Sequence, residues 1–147
     1  IQAPSPFPSQ RAIIVMAVAN GKGDEPLSES ENDVAAPGSV SVAGLSQAEV
    51  TRICKDVLDS VIGAAPYSYA DSTTWNQQVV EQITSDLVRS QRPYKFIVTS
   101  ALLQLANGSG LNVSSVSYWN KATDLSFSYR WENKHMLAVV NVFAVAF

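Results

Sequence analysis

The chain reads as an α+β domain in which two N-terminal helices pack on one face of an antiparallel β-sheet. Three observations predict this. Apolar residues recur at helical spacing over 50–62 and again over 75–88, the period falls to 2 beyond Pro93, and turn-forming clusters then punctuate the chain at short intervals. Ahead of these elements, residues 1–44 have the composition of a flexible acidic, Pro- and Ser-rich tail, so the folded domain is expected over 45–147.

The tail opens with Pro4, Pro6 and Pro8 and continues into an acidic, Ser-rich stretch over 24–33. Before Leu45 two basic residues (Arg11 and Lys22) stand against five acidic ones, and from Leu45 onward the count is eight against eight. The net charge of −3 therefore resides in the tail, and the neutral domain has no electrostatic footprint for nucleic acid. Such a segment buries too little apolar surface to offset its ordering entropy, although Ile13, Ile14 and Val15 are suited to docking as an extended arm on a partner. The apolar run over 12–19 is well short of the roughly 20 residues that span a bilayer, so no membrane insertion is expected.

The first helix is announced by Ser46 and Glu49, a capping-box pair in which each side chain reaches an unpaired N–H of the first turn. Val50, Ile53, Cys54, Val57, Leu58, Val61 and Ile62 then form a single stripe. Gly63 suits a left-handed cap, and Pro66 forbids continuation. Cys54, the only cysteine, falls on the apolar stripe and reads as a buried packing thiol in a chain suited to a reducing compartment. A second helix is expected after the Asp71-Ser72-Thr73 cluster. Its apolar face is Trp75, Val79, Val80, Ile83, Leu87 and Val88, and Pro93 ends it.

Strands follow over 94–105, 113–119, 125–132 and 135–147, joined by the Asn107-Gly108-Ser109-Gly110 turn, a loop through Asn120, Lys121 and Asp124, and a tight turn at Asn133-Lys134. The third alternates, with Leu125, Phe127, Tyr129 and Trp131 on one face and Ser126, Ser128, Arg130 and Glu132 on the other. The first and last strands are apolar in both phases, the mark of burial on both faces. Two helices cover one face only. A second copy of the chain is favoured as the cover of the other, over the tail folding back, and Asp at Val140 is expected to disrupt dimerisation or folding. The Ser-rich second strand is short and loosely connected. It reads equally as an ordinary hairpin strand or as one released from its own sheet to pair elsewhere.

Chemistry-bearing constellations are absent from the sequence. His135 is the sole histidine and sits beside a turn, zinc would need more ligands than Cys54 and His135, and the Asn-Gly-Ser-Gly turn precedes a strand and lacks a phosphate-binding Lys. No catalytic residue, metal site or cofactor is expected. An acyl-CoA thioesterase of the hotdog type, another helix-plus-sheet dimer, disagrees with two leading helices that carry no buried polar group.

Several motifs, in order and spacing, resemble the Tctex-type dynein light chain family. They are Trp75 with Val79-Val80-Glu81-Gln82, Pro93 through Thr99, Asn107-Gly108 through Leu111, Tyr118-Trp119, Thr123-Asp124, and Arg130-Trp131-Glu132-Asn133-Lys134. The likeness runs from about Val50 to Phe147. It implies a strand-exchanged homodimer, or a heterodimer with a related light chain. It also implies a non-catalytic role in a microtubule motor complex, binding an extended segment of a dynein intermediate chain. By that resemblance the exchanged strand is 113–119, and the peptide-facing residues are Leu111, Asn112, Val113, Ser114, Ser115, Val116, Ser117 and Tyr118. Trp119, Phe127, Tyr129 and Trp131 are assigned to core or dimer packing. The implied location is the cytoplasm and cytoskeleton, with the ciliary axoneme open on the same grounds. The long tail departs from the family's short N terminus and suits a regulatory or axoneme-specific arm. The alternative is a homodimeric peptide-binding adaptor independent of dynein.

Overall fold

The computed structural model describes residues 44–147 together with the backbone of 11–18, and the remainder of the expected tail lies outside the described residues. Within the tail stretch, Arg11–Val18 forms a strand, β1. The domain follows as helix α1 (Gln47–Val61), helix α2 (Tyr69–Arg89) and strands β2 (Tyr94–Gln104), β3 (Leu111–Tyr118), β4 (Leu125–Glu132) and β5 (Met136–Ala146). It is α+β, with two helices on one face of an antiparallel sheet ordered β2-β5-β4.

At the start of α1, Ser46 Oγ accepts from the Glu49 N–H at 3.2 Å. The return half of the expected capping box is missing, because Glu49 Oε2 pairs instead with Arg92 Nη2 at 2.8 Å and ties the start of α1 to the α2–β2 link. Gly63 ends the helix with φ +55, where a Cβ would sit 3.0 Å from the Asp59 carbonyl oxygen. α2 begins earlier than expected. Ser68 is its cap, accepting from the Asp71 N–H at 3.2 Å and donating to Asp71 Oδ2 at 2.7 Å. The expected start, after Thr73, falls in the second turn, because the exposed Tyr69 and Ala70 lie off the apolar stripe that marks the helix.

The expected run of hairpins holds only for β4 and β5, because the last strand inserts at the sheet centre and pairs with both β2 and β4. Rows of the register define two faces. On the helix face Leu102, Ala138 and Trp131 align, as do Val98, Val142 and Phe127, and these residues join Val50, Cys54, Leu58, Val79, Ile83 and Leu87 in the core. Val140 belongs to this face, so Asp there strikes the helix-packed core and does not probe the opposite one.

The second face carries Leu103, Leu137 and Glu132 in one row, Ala101, Val139 and Arg130 in the next, and Thr99, Asn141 and Ser128 in a third. Leu137 and Val139 are each 1% exposed, with Leu103, Leu105 and Leu111 packed against them. Part of the covering therefore comes from the β2–β3 connection, neither a second copy nor the tail. Asn141 is buried in mid-face and accepts from Ser128 Oγ at 2.7 Å, which meets the need of a polar group in that position.

The hairpin motif of β4 and β5 is bolted to α1. Trp131 Nε1 donates to Asp59 Oδ1 at 2.8 Å. Asn133 Nδ2 donates to the carbonyls of Gly63 and Ala65, and its Oδ1 accepts from the N–H groups of His135 and Met136. Four bonds from one short amide explain why Asn follows Trp-Glu at this turn: its donor end and its acceptor end are both fully used.

Candidate functional site

β3 stands outside the three-stranded sheet and belongs with β1 to a separate two-stranded one. The Gly108 turn that precedes it, at φ +80, leads away from β2 and does not fold back on it. Both ends of the strand are held on the second face of β5. Leu111 packs with Leu137 and Val139, and Trp119, just past the other end, meets Phe143 edge-on with ring centroids 5.9 Å apart. The turn that follows is closed by Asp124, whose Oδ2 accepts from the Asn120 N–H at 3.0 Å and whose Oδ1 accepts from the Ala146 N–H at 2.9 Å. The connection read from sequence as a loose loop is thus a hydrogen-bonded turn.

Between these anchors β3 alternates. Leu111, Val113, Ser115 and Ser117 are half-buried, while Asn112, Ser114, Val116 and Tyr118 point outward, Val116 being 62% and Tyr118 73% exposed. One backbone edge of β3 is in use: β1 runs antiparallel along it from Arg11 opposite Tyr118 to Val18 opposite Leu111. Ile13, Ile14 and Val15, expected as an arm for a partner, lie opposite Val116, Ser115 and Ser114 of this same chain. The apolar, β-branched run over 12–18 was the available signal for a strand; nothing in it named β3 as the neighbour.

The eight residues read as peptide-facing coincide with β3. Of the four assigned to packing, Phe127 and Trp131 are buried in the core, Tyr129 packs against it, and Trp119 rests on Phe143. Burial raises the Tyr129 phenol above its ordinary value, and it pushes the Cys54 thiol up to about 12. Asp59 is held below the usual carboxylate range by hydrogen bonds from Lys55 and then Trp131.

Two surface depressions, of about 420 and 280 Å³, lie near the helices. The first is lined by Val61, Gln78, Glu81, Gln82 and Ser85, and the second includes Glu49, Arg52, Asp56, Asp86 and Arg89. In neither is a serine hydrogen-bonded to a carboxylate: Glu81 accepts from Gln77, and Ser90 donates to the Leu87 carbonyl. His135 is exposed and distant in role from both, and no group of three His, Cys, Asp or Glu among the described residues is arranged to hold a metal ion. Among the same residues no helix is long and apolar enough to cross a membrane.

Two leading helices on an antiparallel sheet, with one strand held outside that sheet, define a small α+β domain whose distinguishing feature is a detached strand. The chain belongs to the Tctex-1 family, whose model matches residues 44–145. It is 41% identical over 98 residues to a dynein light chain Tctex-type of Drosophila melanogaster, covering 67% of this chain and 87% of that protein. It is 35% identical over 103 residues to the human dynein light chain Tctex-type 3, covering 70% and 88%. A dynein light chain Tctex-type of Dictyostelium discoideum is 29% identical over 96 residues.

Proposed function

We propose that this chain is a non-catalytic light chain of a dynein motor complex that dimerises and binds an extended intermediate-chain peptide along β3. The observation that carries the reading is the detachment of β3. A strand outside its own sheet, flanked by two anchors, presents backbone N–H and C=O groups for pairing with another extended segment, and β1 occupies it in that manner. The outer edges of β2 and β4 are unpaired among the described residues, which suits exchange of β3 between two protomers. The names of the relatives support the dynein context, and with it the cytoplasm and cytoskeleton.

Binding by strand addition needs no active-site group. Main-chain hydrogen bonds supply affinity, and alternate side chains supply selectivity. On β3 those side chains are Asn112, Ser114, Val116 and Tyr118, a small, largely polar set ending in one aromatic. The test is a pull-down with the intact chain, the bound proteins identified by mass spectrometry and the mass by light scattering. A dimer carrying a dynein intermediate chain supports the proposal, and that chain's identity decides cytoplasm or axoneme. A dimer with unrelated partners turns the reading into a dynein-independent adaptor, and a monomer with none overturns it.

A further inference from the structure

The span matched by the family model begins at residue 44, and β1 lies wholly ahead of it. Yet β1 pairs with β3 along the whole strand, all eight residues of one against all eight of the other. An antiparallel neighbour uses the N–H and C=O groups facing it, and two strands cannot share one edge. The segment has the chemistry such an edge takes: Arg-Ala-Ile-Ile-Val-Met-Ala-Val has no proline, glycine or acidic residue and carries a β-branched centre.

From this we infer that Arg11–Val18 is an internal occupant of the docking edge, a tethered competitor that must leave β3 before an extended peptide of like chemistry can pair there. The inference rests on the reading of β3 as the docking strand and adds its regulation. A tethered segment competes at an effective concentration on the order of 1 mM, so if its own Kd for the edge is ~0.1 mM an incoming peptide is weakened about tenfold. A partner with a second foothold, or a modification that holds the tail elsewhere, would release the edge.

The sequence of β1 also supplies the probe. A fluorescently tagged synthetic peptide of residues 11–18 is titrated by polarisation against the full chain and against the full chain carrying Ile14→Pro and Val15→Pro. In an antiparallel pair successive N–H groups point to opposite sides, so one of two adjacent prolines removes a ladder donor whichever way β1 faces. An unchanged melting curve checks that the domain is intact. The expected result is binding about tenfold tighter to the variant, with faster hydrogen exchange over 111–118 in the variant before peptide is added. Equal binding to both forms, or binding to neither, overturns the inference. Recovery of dynein intermediate chain is scored separately. Peptide competition without intermediate chain leaves the occupant standing and removes the light-chain reading, whereas equal recovery by both forms with no difference in peptide binding does the reverse.

Discussion

The indole N–H of Trp131 reaches Asp59 Oδ1 across 2.8 Å, joining β4 to the last turns of α1, while Lys55 pairs with the same carboxylate from the helix surface. The ring of Trp131 is buried while Asp59 is about half exposed, so removing the acceptor leaves the indole N–H to a water that only partly replaces it. Asp59→Ala is expected to cost about 1–2 kcal/mol, and Asp59→Asn, which keeps an acceptor oxygen, less. Urea denaturation of the three proteins checks the order.

The same carboxylate gives a pH signature. Its pKa in the fold is depressed, first by Lys55 and then by Trp131. The folded state therefore binds the proton less readily than the unfolded one, and the contribution is complete above the ordinary carboxylate pKa and lost as pH falls through the folded value. The stability gap between wild type and Asp59→Ala should narrow in acid below about pH 4 and stay constant from pH 6 to 8. A gap that widens in acid would contradict the assignment.

Asn133 joins the β4–β5 turn to the end of α1 with both ends of its amide. Asn133→Ala should lower stability by about 2–3 kcal/mol, a fall of roughly 10 °C or more in Tm for a domain this size. Asn133→Asp keeps the acceptor for His135 and Met136 and loses the donor to Gly63 and Ala65, so an intermediate Tm is expected by calorimetry.

What was legible in the sequence follows the range of the interaction. Ser46, the apolar stripe of α1 and Gly63 were read correctly because a cap, a period and a positive φ are each settled within a few residues. The alternation of Leu125, Phe127, Tyr129 and Trp131 likewise assigned β4's inner face. The position of β5 between β2 and β4 was not legible, because a doubly apolar strand does not say which strands flank it. Nor was the choice between Val139 and Val140 for the second face, since a period of 2 separates the faces without naming them. The β1–β3 ladder joins residues 11–18 to 111–118, and no local rule reaches that far.

Cys54 is fully buried in α1, and desolvation raises its thiol to about 12. The thiolate is the reactive form, so modification by a disulfide reagent at pH 8 should run about a hundredfold or more slower in the folded chain than in denaturant. Because the folded pKa is raised, stability is complete below the ordinary thiol value and falls as pH climbs toward 12. Cys54→Ala should remove that alkaline slope; rapid labelling of the native chain would contradict the burial.

Val116 projects from the middle of β3 and lies outside the core clusters. Val116→Asp should therefore leave stability within about 0.5 kcal/mol of wild type. It should also weaken capture of an extended partner at least tenfold, or about 1.4 kcal/mol. Thermal melts and a quantitative pull-down on the same preparations separate the two effects.

Hydrogen–deuterium exchange on the complex with dynein intermediate chain tests the docking role of β3 most directly. Exchange over 11–18 is predicted to accelerate as β1 is displaced, while 111–118, passed from one neighbour to another, stays protected and the α1 and α2 surfaces are unchanged. Protection gained at the helices, with exchange over 11–18 unaltered, would contradict the account.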